Sequence, residues 1–261
     1  MRGRRFLTLA VATALTAGGA AVAAEPRAVV ELFTSQGCSS CPPADKLLGE
    51  LSYDQSLIPL TLAIDIWDYL GWKDTLALPG HAKRQKAYSH VRGDHEGVYT
   101  PQAVINGTVQ ALGSDRTAIE RAITQSRNNK ATLSLPLTMT LDSNQLTVTA
   151  PAATNQTANQ NVTAEAWLCP ITKSVAVAIG RGENSGRTFT YHNVVRRWVK
   201  LGAWNGQPAT WSVPLADFKT DGVDAVAVIV QSGAASTPGP MLGAAFMSLD
   251  RPAPVPQAIK Q

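Results

Sequence analysis

Two cysteines separated by two serines constrain this chain more than any other feature. Cys38 and Cys41 follow an apolar run typical of a buried strand, residues 29–33, and precede a run with helical spacing of its apolar residues, 44–51. A helix N-terminus favours the thiolate, which is the form of cysteine that attacks a disulfide. The pattern predicts that Cys38 is the nucleophile and that Cys41, one turn further on, resolves the mixed disulfide.

The first residues have the pattern of an export signal. Three arginines within the first five residues precede an apolar stretch, residues 6–17, and small residues at 21–24 suit signal peptidase. We therefore expect a signal peptide over residues 1–24 and a periplasmic or secreted mature protein. Removing these three arginines from the 23 basic residues leaves 20, against 19 acidic residues, so the charge gives no argument for a nucleic-acid partner. No later apolar run approaches the roughly 20 residues that span a bilayer.

The pattern of the chain changes near Asn128. Before this point short apolar runs alternate with helical patterns, whereas afterwards strand-like alternation prevails, as in residues 133–141. A mature chain of this length favours two domains. We predict a mixed α/β domain over residues 25–128, an all-β sandwich-like domain over 129–250 and a Pro-rich tail over 251–261.

The first predicted domain resembles the thioredoxin superfamily. The cysteine pair lies at the end of its first strand, and Thr100-Pro101 precedes a hairpin predicted from the turn dipeptide Asn106-Gly107. The superfamily places its cis-proline at this point. The resemblance implies that the Thr100 backbone lies beside Cys38 and pairs with a substrate strand, and that the fold is an α/β thioredoxin-like domain followed by the sandwich.

Three segments are similar, more narrowly, to a family of secreted bacterial proteins known as domain of unknown function 1223. They are residues 31–45, 97–102 and 181–187. The last of these is polar, with the character of a hairpin tip. It can lean over the cysteines or be a solvated hairpin, and we favour the second interpretation because no spacing argument places it beside Cys38.

Residues that flank the cysteines are candidates for substrate contact. Gly37 stands where many thioredoxin relatives have an aromatic residue, which predicts an accessible Cys38. A polar loop follows the second predicted strand, and such loops border the binding crevice of α/β sheets. The predicted substrate-binding residues are Gly37, Asp65, Trp67 and Asp68. The alternative for this loop is that Trp67 packs beneath it and both carboxylates are solvated.

Two further side chains are assigned structural roles. Glu31 lies in the first strand, where some thioredoxin-like proteins use a buried carboxylate to move protons, but a strand-end hydrogen bond or salt bridge is the favoured interpretation. Cys169 leaves an odd cysteine, which we predict to be a buried, inert thiol beside Leu168.

Three functions remain open from the sequence. The favoured one is a thiol–disulfide oxidoreductase that acts on protein thiols or disulfides in the periplasm through Cys38, Cys41, Thr100 and Pro101. The second is a non-catalytic binding module with a structural disulfide. The third is a periplasmic copper carrier, which is disfavoured because no histidine has ligand spacing; the four are His81, His90, His95 and His192. We therefore predict no metal site and no cofactor, and the oligomeric state stays open.

Overall fold

The computed structural model describes residues 26–93, 97–142, 144–153 and 163–250. The predicted signal peptide, His95 and the predicted C-terminal tail lie outside the described residues. The strands are β1 Ala28–Thr34, β2 Leu57–Ala63, β3 Gln102–Ile105, β4 Val109–Leu112, β5 Thr138–Asp142, β6 Gln145–Ala150, β7 Ala164–Ala178, β8 Thr188–Val195, β9 Val199–Trp204, β10 Ala209–Pro214, β11 Ala225–Ala234 and β12 Thr237–Ser248. The helices are α1 Pro42–Leu51, α2 Pro79–Arg92, α3 Arg116–Ser126 and α4 Leu215–Phe218, with a 3-10 turn at Asp68–Leu70.

One mixed sheet contains most of these strands. Its order is β12-β11-β7-β8-β2-β1-β3-β4, and β9 pairs with β7. A smaller sheet has the order β10-β6-β5. The junction between the early and late strands is a parallel pairing of β2 with β8, with Thr61 opposite Val194. Two side chains reinforce it, because Thr61 Oγ1 donates to His192 O at 2.6 Å and Asn193 Nδ2 donates to Pro59 O at 3.0 Å.

The predicted fold class, an α/β thioredoxin-like domain followed by an all-β sandwich-like domain, is wrong. The described chain is mostly β, and strands from both sides of residue 128 share the nine-stranded sheet. The alternation of apolar residues predicts which face of a strand is buried, but it does not predict which strand lies next to it. The domain boundaries that we drew from the change of sequence pattern near Asn128 stay a prediction.

Strand β1 is buried on both faces. Val29 and Phe33 pack on one side of the sheet, while Val30 and Leu32 pack on the other, as the two-residue period of a strand requires. The second side is covered by apolar stripes of α1 and α3, whose buried residues are Ala44, Leu47, Leu48, Leu51, Ile119, Ala122 and Ile123. In the part of the chain that the structure describes, the helices lack the length and the apolar composition of a membrane-spanning segment.

The strand predicted over residues 133–141 is shorter in the structure. β5 begins at Thr138, and Leu133 has a positive φ of 50° that interrupts an extended chain. Leu133 and Leu135 are nevertheless buried, and their N–H groups donate to Met241 O and Leu242 O of β12. The alternation therefore predicted the burial of the apolar residues from 133 to 139 correctly, but Leu141 is exposed, and the conformation of the segment was not predicted.

Candidate disulfide site at the end of strand β1

Cys38 and Cys41 form a disulfide immediately after β1. Their Cα atoms lie 5.4 Å apart, and the N–H of Cys41 donates to Cys38 O at 3.3 Å, which closes the turn. Cys41 is fully buried, whereas Cys38 keeps 4% of its surface exposed and is followed by exposed Ser39 and Ser40. The disulfide is therefore nearer to solvent on the Cys38 side than on the Cys41 side.

Helix α1 offers Cys38 little of the anion stabilisation that the sequence predicted. The helix begins at Pro42 and Pro43, which have no N–H group, and the next two N–H groups, of Ala44 and Asp45, donate to Cys41 O. The hydroxyl of Ser40 lies beside the sulfur instead, with Ser40 Oγ 3.4 Å from Cys38 Sγ. Sequence analysis did not assign a role to Ser40.

The Thr100-Pro101 peptide bond is cis, as predicted, and Thr100 borders the cysteine turn. Ser40 Oγ donates to Thr100 O at 3.5 Å, and Trp67 Nε1 donates to Thr100 Oγ1 at 2.8 Å. Trp67 also packs on Gly37, where an added Cβ would lie 2.9 Å from Trp67 Cβ. The space that glycine was predicted to leave open is thus bordered by the Cβ and backbone of Trp67, from another loop.

The other predicted substrate-binding residues differ in their exposure and in their contacts. Asp65 is exposed, and Asp68 accepts a hydrogen bond from the N–H of Asp74 at 3.0 Å, so its carboxylate supports a loop. Trp67 and Tyr69 have ring centroids 6.0 Å apart, and Tyr69 is 75% exposed. Of the predicted substrate-binding set, Gly37 and Trp67 adjoin the cysteine turn.

Hydrogen bonds with Asp74 and Trp72 hold Gln36, which lies just before the cysteine turn. Asp74 Oδ2 accepts from the N–H of Gln36 at 2.7 Å, and its other oxygen accepts from the N–H of Leu76 at 2.8 Å. Burial raises the pKa of the Asp74 carboxyl, while these backbone N–H groups oppose the rise. Trp72 Nε1 donates to Gln36 Oε1 at 2.8 Å, which fixes the side chain of Gln36 as well.

The β7–β8 hairpin also contacts the site, which the favoured interpretation of a solvated hairpin did not anticipate. Asn184 is buried, and its Nδ2 donates to Gln36 O at 2.9 Å and to Cys38 O at 3.0 Å. The one signal that pointed to this segment was the family similarity of residues 181–187.

Asp45 is the functional candidate that sequence analysis missed. It lies one helical turn after Cys41, is buried, and neither carboxyl oxygen has a hydrogen-bond partner among the described residues. Burial raises its pKa from 3.8 to about 7; the nearby Thr34 hydroxyl opposes the rise and the Asp74 charge adds to it. Asp45 also lines a cleft of about 310 Å³ between α1 and β8, beside Lys46 and His192.

The predicted salt bridge of Glu31 and the predicted burial of Cys169 are confirmed. Glu31 accepts from Arg84 Nε at 2.7 Å, so this strand carboxylate belongs to a buried ion pair and not to the cysteine site. Cys169 is a free, fully buried thiol whose pKa burial raises. In the part of the chain that the structure describes, no three His, Cys, Asp or Glu side chains form a group that could hold a metal ion.

Comparison with solved structures identifies a close structural counterpart. An X-ray structure of a protein from Agrobacterium tumefaciens is 29% identical, covers 87% of this chain and 96% of its own, and superposes with a TM-score of 0.75. A β-glucosidase 3B from Thermotoga neapolitana, solved in complex with glycerol, is 12% identical over 44% of this chain and 15% of its own. Its TM-score of 0.20 supports no argument.

The sequence comparisons assign a family without assigning an activity. No curated protein matches the chain. Residues 29–231 match the family described as a protein of unknown function, and this range includes all of β1 except Ala28, the cysteine turn, the cis-proline and the β7–β8 hairpin. The chain therefore belongs to the DUF1223 family.

Proposed function

We propose that this is an exported protein that exchanges thiols and disulfides with other exported proteins through Cys38 and Cys41. The observation that carries the proposal is the asymmetry of the disulfide. Cys38 reaches the surface between exposed serines and Thr100, while Cys41 is buried one helical turn from an unpartnered carboxyl group. This asymmetry supports Cys38 as the sulfur that a partner attacks and Cys41 as the sulfur that is released.

The reaction balances with groups on this chain and two partner thiols. A partner thiolate attacks Cys38 Sγ, the sulfur–sulfur bond breaks, and the electron pair leaves with Cys41 Sγ. The carboxylic acid of Asp45 gives its proton to the Cys41 thiolate. A second partner thiolate then attacks the partner sulfur of the mixed disulfide and releases a partner disulfide and the Cys38 thiolate. Two electrons pass to the protein, and the reverse sequence oxidises the protein.

Asp45 suits this role by position and by pKa. Residues four apart on a helix lie on the same face, with Cβ atoms about 5–6 Å apart, so Asp45 lies beneath Cys41. A pKa of about 7 allows the carboxyl group to give or take a proton near neutral pH. The exposed Tyr69, whose ring lies next to that of half-buried Trp67, supports a polypeptide partner, because aromatic side chains are common anchors of protein contacts.

A purely structural bridge explains the arrangement less well. The two cysteines are three residues apart, so the bridge closes a very short loop. By the chain-entropy argument, a disulfide that closes such a short loop stabilises the fold by about 2 kcal/mol, less than one that closes a longer loop. That argument does not account for an unpartnered buried carboxyl group beneath Cys41.

Substitution of each cysteine tests the proposed function. We expect Cys38→Ser to abolish disulfide exchange with a reduced, unfolded protein substrate, because the accessible sulfur is lost. Cys41→Ser is tested with an oxidised protein substrate: its Cys38 thiolate should attack a substrate disulfide and accumulate a mixed disulfide, which non-reducing electrophoresis detects. Cys169→Ser is the matched control, and its exchange should equal that of the unsubstituted protein. Exchange that persists in Cys38→Ser would show that the pair is structural.

Ser40 provides a second test at the same site. We expect Ser40→Ala to lower the rate at which iodoacetamide alkylates reduced Cys38 at pH 7 by about threefold to tenfold, since a hydrogen bond to a charged group is lost. Ser39→Ala, at the neighbouring exposed position, is the control. Equal alkylation rates in the two variants would show that the Ser40 hydroxyl does not stabilise the Cys38 thiolate.

A further inference from the structure

The tip of the β7–β8 hairpin, residues 179–187, has a defined backbone. Gly186 N donates to Ile179 O at 2.8 Å, and Ile179 N donates to Arg187 O at 2.9 Å. Gly182 and Gly186 both have a φ of +77°, which glycine adopts without steric cost. The hairpin therefore presents Asn184 in a fixed position.

The side-chain amide of Asn184 has a partner on each polar atom. Its Nδ2 donates to Gln36 O and Cys38 O, at 2.9 and 3.0 Å, and Arg187 Nη1 donates to its Oδ1 at 3.2 Å. Two acceptors on the nitrogen and a donor on the oxygen fix the orientation of the amide. Asn184 is only 2% exposed, so water does not compete for these bonds.

Trp72 makes a second connection between the hairpin and the cysteine turn. Its ring packs against Gly180, where an added Cβ would lie 3.0 Å from the ring carbon Cζ3. Its indole N–H donates to Gln36 Oε1. The hairpin thus contacts residues 36–38 through the backbone, by Asn184, and through the side chain of Gln36, by Trp72.

We propose that Asn184 is a positioning residue that favours closure of the Cys38–Cys41 disulfide; the proposal rests on the proposed function. Cys38 O accepts from both Asn184 Nδ2 and the N–H of Cys41, so one carbonyl joins the hairpin to the turn. After reduction, these contacts keep the two cysteines at bridging separation. Re-closure is intramolecular, and its equilibrium depends on how well the two thiols are held together.

A redox equilibrium with dithiothreitol tests this role. One molecule of dithiothreitol reduces the disulfide to two thiols and becomes its own cyclic disulfide. We expect Asn184→Ala to shift the equilibrium constant about tenfold toward the dithiol, because two hydrogen bonds that hold the turn are lost. Trp72→Phe keeps Asn184 but removes the indole N–H, and it should shift the equilibrium in the same direction by a smaller factor.

Asn193→Ala is the matched control, because Asn193 is also buried and donates to a backbone carbonyl, Pro59 O, at the β2–β8 junction. It should destabilise the fold without shifting the dithiothreitol equilibrium. An equal shift in this control, or constants within twofold of the unsubstituted protein for both Asn184→Ala and Trp72→Phe, would overturn the proposal. Dithiothreitol reduces structural and exchanging disulfides alike. A shift in Asn184→Ala in a protein that fails to exchange with protein substrates would uphold the positioning role and reject the proposed function.

Discussion

The Arg84→Met variant is expected to lose about 3–5 kcal/mol of unfolding free energy at pH 7, because it leaves the Glu31 carboxylate buried without its countercharge. Glu31 is fully buried and accepts from Arg84 Nε at 2.7 Å and from the Tyr88 hydroxyl at 2.7 Å. Arg84 also donates to Gln231 Oε1 at 2.7 Å and lies 4.4 Å from the centre of the Trp198 ring. The guanidinium therefore joins β1, α2 and β11 in the core.

Urea unfolding at pH 7 measures this loss, and two variants serve as controls. Arg116→Met removes an ion pair to Glu50 that is half exposed on both sides, so it should cost less than about 1 kcal/mol. The double variant Glu31→Gln, Arg84→Met removes both buried charges and should recover part of the stability. A double variant no more stable than Arg84→Met would show that lost packing, and not an unpaired carboxylate, causes the effect.

The Asp45→Asn variant is expected to gain about 2–4 kcal/mol of unfolding free energy at pH 8 and to lose exchange activity. The folded-state pKa of about 7 lies above the ordinary value of 3.8, so the native protein binds the extra proton between these values. Native stability therefore falls as the pH rises from about 4 to about 7, and the full cost, at most about 4 kcal/mol, is present above pH 7. Asparagine, which carries no charge, removes that cost.

Urea unfolding of Asp45→Asn at pH 8 and pH 4 measures the first effect, which should be large at pH 8 and small at pH 4. Exchange with a protein thiol at pH 7 measures the second, and we expect a rate at least about tenfold lower because the proton carrier of Cys41 is gone. Asp74→Asn is the matched control: Asp74 is equally buried but accepts two backbone N–H bonds, so its substitution should not stabilise the protein. Unchanged exchange by Asp45→Asn would exclude this carboxyl group from the reaction.

The sequence predicted the local features of the site well. The strand before the cysteines, the helix after them and the cis bond before Pro101 are all present, and the Asn106-Gly107 hairpin follows. Each of these depends on a few neighbouring residues, whose chemistry is read from the chain directly. The burial of Cys169 followed from its apolar strand in the same way.

The long-range features could not be read from the chain. The pairing of β2 with β8 depends on a match between two buried strands, and every apolar strand of the chain offers a similar pattern. The contact of Asn184 with the cysteine turn could not be predicted for the same reason, because its two acceptors are backbone carbonyls, which every residue has. Asp45 was missed for another reason: one acidic residue in the first turn of a helix is ordinarily exposed, and the packing of α1 against other parts of the chain buries this one.

The contact between Asn184 and the cysteine turn also affects the order in which the site is completed during synthesis. Ribosomes deliver the N-terminus first, and 146 residues separate Cys38 from the amide that binds its carbonyl. A nascent chain therefore carries both cysteines long before it carries their support. Until the hairpin has been made, the cysteine turn lacks the amide that binds Cys38 O and the sheet lacks β8, so the finished disulfide site requires a chain that extends past Asn184.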